Sequence, residues 1–121
     1  FIMSIMRKQT IIRGKNSILV SLSVLLGKEG DYYIAYCPAL DLSAYGRSEK
    51  EAKASFETYL NIFFEEAVKN GTLEKLLLRL GWTLRQAPEV KYEPPEFAGK
   101  TPTINMTVGR EIIERVAIPV G

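Results

Sequence analysis

Chemistry on this chain has to come from carboxylates, hydroxyls, amines and one thiol. Its 121 residues include no histidine and a single cysteine, Cys37. That removes Ser-His-Asp triads, Cys-His pairs, tetrahedral Cys/His zinc sites and most other transition-metal sites together. A cysteine nucleophile needs a neighbouring base to raise its thiolate fraction, so Cys37 reads as a small sheet residue. Asp31 and Asp41, with Glu49 or Glu51 nearby, make up a carboxylate set of the kind that holds divalent cations in nuclease-like folds. Structural roles account for these acids better: Asp31 suits a turn, Asp41 the solvent face of a strand and Glu51 a helix cap. The expectation is a non-enzymatic protein with no catalytic, metal or cofactor site.

Four tyrosines are the stronger candidates for contact. Tyr32, Tyr33, Tyr36 and Tyr45 fall on neighbouring strand patterns, an arrangement that single-stranded nucleic-acid binders use for base stacking. Ile34 lies between Tyr32 and Tyr36 at the two-residue spacing of one strand face, which predicts that this pair packs under a helix. Tyr33 and Tyr45 then stand on the other face with Ser21, Asp41 and Ser43. Tyr33, Asp41 and Tyr45 are therefore the candidate partner-binding residues, and the acid favours a basic protein.

The elements that must position these residues follow from periodicity. Val20, Leu22, Val24 and Leu26 alternate with Ser21 and Ser23, which predicts a half-buried strand over 18–26. Turn residues 27–31 lead into a second strand from Tyr32 to Cys37. Pro38 interrupts it, and Leu40, Leu42 and Ala44 alternate as a third strand. Gly46 opens a tight corner, and Ser48 with Glu51 forms a capping box that starts a helix. The helix carries its apolar stripe on Ala52, Phe56, Tyr59, Leu60, Phe63, Phe64 and Ala67. Asn70-Gly71 ends it, and Thr72 caps a short second helix with Leu73, Leu76, Leu77 and Leu80 facing inward.

Beyond Gly81 the pattern weakens. Trp82 to Gln86 reads as a strand or extended segment. Pro88, Pro94, Pro95 and Pro102 predict an extended arm. Gly109-Arg110 has the form of a two-residue turn in a terminal hairpin, and a strand followed by a short helix is the competing reading.

The fold expectation is α+β: a three-stranded antiparallel meander packed against a long helix plus a short second helix, in the order β-β-β-α-α, with a C-terminal β-like tail. Residues 1–17 form a basic N-terminal segment with Arg7, Lys8, Arg13 and Lys15 and no acid. Residues 18–86 form the α+β domain, and residues 87–121 the proline-rich arm and hairpin. A composition of 46% hydrophobic and 25% charged residues is that of a globular protein with a real core. Neither a signal peptide nor a membrane-spanning run is evident, and one cysteine fits a reducing compartment. A cytoplasmic location is expected.

Tyr33, Cys37-Pro38, Leu40, Gly46, Ser48, Glu51 and Ala52 occur in an order and spacing that resemble the N-terminal domain of HicB-type antitoxins. The resemblance covers roughly residues 18–82, including Leu80-Gly81-Trp82. It implies a partial RNase H-like fold without that enzyme's active site, in a protein that neutralises a small basic RNA-cleaving HicA-like toxin by covering it. Relatives often carry a C-terminal DNA-binding domain. The eighteen residues after Thr103 are too few for a ribbon-helix-helix, so direct DNA binding is not expected. The alternative is an orphan HicB-like domain that binds nucleic acid through the basic N-terminus and the sheet tyrosines. A homo-oligomer, with a dimer favoured, is expected through the arm and terminal hairpin.

Overall fold

The computed structural model describes residues 9–86, 90–95 and 106–120. These build one antiparallel sheet of seven strands with two helices. The elements are β1 (Thr10–Arg13), β2 (Ser17–Glu29), β3 (Tyr32–Cys37), β4 (Leu42–Gly46), α1 (Glu49–Lys69), α2 (Leu73–Arg79), β5 (Thr83–Arg85), β6 (Val90–Glu93) and β7 (Thr107–Pro119). The α+β class and the expected meander, β2-β3-β4, are present, but the meander is less than half of the sheet.

β2 organises the rest because its 13 residues outlast any neighbour on one edge. Residues 18–21 pair with β1, and residues 25–29 pair with β3. β7 runs along the whole opposite edge from Ser17 to Lys28. The stretch between β1 and β3 leaves the Ser23 amide without a strand partner on that edge, and it donates to the Gln9 side-chain oxygen at 2.8 Å. Gln9 is itself buried, so a side chain completes the ladder where two strands part.

The face under the helices is read along the register. Leu84, Tyr92, Ile11, Val20 and Val116 form one row across β5, β6, β1, β2 and β7. Ala44, Ala35 and Leu26 form another across β4, β3 and β2. The two alanines let α1 approach closely, and Ala52, Phe56, Leu60, Phe64 and Ala67 fill the space between. Trp82, fully buried, donates its indole N–H to the Ala39 carbonyl at 2.8 Å and so fixes the β3–β4 turn.

Local signals at the helix ends hold with two changes of partner. Ser48 accepts from the Glu51 amide at 3.1 Å, but the Glu51 carboxylate takes the Arg47 amide at 3.0 Å rather than that of Ser48. Thr72 stands at the N-cap of α2 yet gives its hydroxyl to the Ala67 carbonyl. At the end of α1, Gly71 takes φ +67° while the Thr72 amide reaches back to Ala67, a Schellman closure. Gly46 is required for another reason: a Cβ there would lie 2.5 Å from the Ala52 nitrogen.

Several expectations are corrected. Part of the basic N-terminal segment is strand β1, whose Ile11 is fully buried. Val90–Glu93 is strand β6, where an extended arm was predicted; Pro88 and Pro102 lie outside the described residues. The third strand begins at Leu42, because Leu40 and Asp41 complete the turn after Pro38. The terminal hairpin is instead one strand. The register passes from Leu26–Arg110 to Gly27–Val108, which makes Gly109 the extra residue of a bulge rather than a turn. Tyr59 is 49% exposed instead of packed on the sheet. No helix among the described residues is long and apolar enough to cross a membrane.

Candidate protein-interaction surface

β3 faces the helices with Tyr33, Ala35 and Cys37, and the opposite side with Tyr32, Ile34 and Tyr36. The register fixes this, since Ala35 pairs with core residue Leu26 and Ile34 with Gly27. The expected faces of the β3 tyrosines are therefore inverted: Tyr32 and Tyr36 do not lie under α1. Tyr33 sits opposite Gly46 on the helix side, partly buried against the core, with the Lys28 ammonium 5.0 Å from its ring centroid. Four consecutive residues, Ile34 to Cys37, are buried. A strand covered on both faces carries no alternation from which to read its parity.

Tyr45 pairs with Ile34 and so shares the outer face with Tyr32. Tyr32 and Tyr45 are 54% and 44% exposed, which makes this an aromatic surface open to solvent. Glu29 lies directly across from Tyr32, and its carboxylate accepts from the Tyr45 hydroxyl at 2.6 Å. That hydrogen bond, followed by modest desolvation and the carboxylate charge, raises the Tyr45 phenol above its ordinary value. Asp41 holds φ +51° in the turn, and one of its oxygens accepts from Tyr36 at 3.2 Å.

Of the three predicted contact residues, Asp41 and Tyr45 join the outer side and Tyr33 does not. Tyr32 and Glu29 complete the group and were missed. The signal for them was present in Gly30-Asp31: a two-residue hairpin loop places its flanking residues, Glu29 and Tyr32, directly opposite each other.

The other acids are occupied elsewhere. Glu49 binds Arg110 at 2.6 Å across the gap between α1 and β7. Glu114, buried on the helix side of β7, lies beside Glu57 and Lys53 of α1. Burial first, and then the hydrogen bond and charge of Glu57, push its carboxyl up to about 7 against the pull of Lys53. Burial also pushes the Cys37 thiol up to about 12, so it stays protonated at neutral pH despite the amides of Leu40 and Ala39. Among the described residues no three Cys, Asp or Glu side chains are grouped to hold a metal ion. The chain matches no family model, no curated protein and no solved structure.

Proposed function

We propose that this protein is a non-catalytic binding module of the HicB antitoxin type, which neutralises a small basic RNA-cleaving toxin by covering it. The observation that carries the reading is the outer face of β3 and β4, where exposed Tyr32 and Tyr45 are interleaved with Glu29 and flanked by Asp41. Tyrosines supply rigid contact area at little entropic cost, and the carboxylates steer a cationic partner. The Cys37-Pro38 turn, the Gly46 corner and the Ser48 cap, among the residues that carry the resemblance, join β3, β4 and α1 and support the reading.

Direct nucleic-acid binding on this face is the weaker reading. Both exposed tyrosines stand beside a carboxylate that would repel a phosphate backbone.

Co-expression with any small basic protein encoded beside it, followed by calorimetry, tests the proposal. Binding should be salt-sensitive, and Tyr45→Ala or Glu29→Lys should weaken it about tenfold or more. A well-folded basic neighbour that does not bind would remove the antitoxin reading. Unchanged affinity in both variants would remove the surface.

A further inference from the structure

We infer that β7 is a homodimerisation strand, pairing antiparallel with β7 of a second copy about a twofold axis through Ile113. This goes beyond partner binding and does not depend on it, because it uses the opposite margin of the sheet. Among the described residues β7 pairs with β2 alone, and no described strand takes up the backbone donors and acceptors of its outer edge. The bulge at Gly109 and Pro119 bound a regular stretch from Arg110 to Ile118. That stretch carries two arginines and two glutamates, Arg110, Glu111, Glu114 and Arg115, and no lysine.

The balanced charges select a register. Joining two copies into one sheet with their helices on the same side requires a twofold axis through a residue, so that like faces meet. Glu111, Ile113 and Arg115 point away from the helices, since they pair with Leu25, Ser23 and Ser21. With Ile113 on the axis, Glu111 of each copy lies opposite Arg115 of the other, and the two Ile113 side chains meet between these pairs. Opposite charges face each other twice on the solvent side of the joined sheet. Arg115 is exposed, and Glu111 accepts from Ser23 through Oε2.

The neighbouring registers are worse. An axis through Glu114 sets that buried carboxylate against its own copy. An axis through Ile112 asks Arg110 and Glu114 to pair across the interface, although Arg110 is held by Glu49 and Glu114 lies beside Glu57. It also runs into the Gly109 bulge sooner. The segment Arg110-Glu111-Ile112-Ile113-Glu114-Arg115 is a palindrome. An axis between the isoleucines, which would flip one sheet over, therefore opposes arginine to arginine and glutamate to glutamate.

Light scattering on the full chain across a dilution series should give twice the 13.6 kDa of one copy. Ile113→Cys should form a covalent dimer under mild oxidation, because residues opposed across antiparallel strands have Cα atoms within disulfide range. The native Cys37 is buried and does not compete. Arg115→Glu should raise the dimer dissociation constant about tenfold, and Glu111→Arg combined with Arg115→Glu should restore it. Tyr45→Ala should leave the mass unchanged, which separates this result from that of the toxin experiment. A wild-type chain that is monomeric throughout the series overturns the inference. So does a dimer in which the Ile113→Cys variant fails to cross-link.

Discussion

The corner from β4 into α1 is closed by groups a few residues apart. Ser48 and Glu51 satisfy the Glu51 and Arg47 amides, and the bare Cα of Gly46 lets Ala52 approach. The seam between β2 and β7 joins groups such as Ser23 and Glu111, which are 88 positions apart. The corner forms at little cost in loop closure, whereas the seam depends on bringing distant segments together before any contact rewards it. Strength does not follow locality, however. The corner rests on a few hydrogen bonds near solvent, and the seam buries Ile118 and Glu114 along a strand of 13 residues.

The comparison breaks if β7 is only an ornament, and Ile118→Ala tests this most severely. Ile118 is fully buried, so chemical denaturation should show a loss of about 2–5 kcal/mol. A loss within the range of ordinary surface changes would mean that β7 is detached from the core in solution.

At the corner, Gly46→Ala should cost about 1–3 kcal/mol, because the added methyl meets backbone rather than a movable side chain. A neutral result would show that the corner relaxes and that its glycine is not a packing requirement. Ser48→Ala sharpens the account further. Loss of the cap should lower stability by about 1 kcal/mol, with Ser48→Gly costing only a few tenths.

Glu114 yields an effect read along pH rather than at one pH, and its sign is the clearest. Its carboxyl is raised from 4.5 to about 7 in the folded chain, so the folded state holds the proton more tightly than the unfolded one. That contribution is complete below about 4.5 and is lost as the pH rises through about 7. Melting curves should show wild type losing stability between these values. Glu114→Gln, neutral throughout, should flatten the profile over that window. An identical slope in both proteins would show that Glu114 ionises freely beside Glu57.

Legibility followed the same division. The helix limits, the Ser48 cap and the α1 stripe from Ala52 to Ala67, Tyr59 excepted, were readable because their signals are local and periodic. β1 and β6 escaped because four residues each, with charged neighbours, leave too short a pattern. Their burial depends on Ile11 and Tyr92 meeting across a pair of strands far apart in the chain. For the candidate surface, Asp41 and Tyr45 were readable, while Tyr33 was misplaced and Glu29 and Tyr32 were missed. The apolar spacing of Ile34 with Tyr32 and Tyr36 suggests the helix side, yet Ile34 is buried on the outer face.

The sequence by itself determined the meander, the glycine corner, both helices and the poverty of its nucleophiles and metal ligands. Those properties reside in residue types and short spacings. Only the tertiary structure decided which face each tyrosine takes and that Gly109 bulges instead of turning. It also decided that β2 is shared by β1 and β3 on one edge and sealed by β7 on the other. A strand's parity and partners are set by register against distant segments, and a run buried on both faces carries no local mark of either.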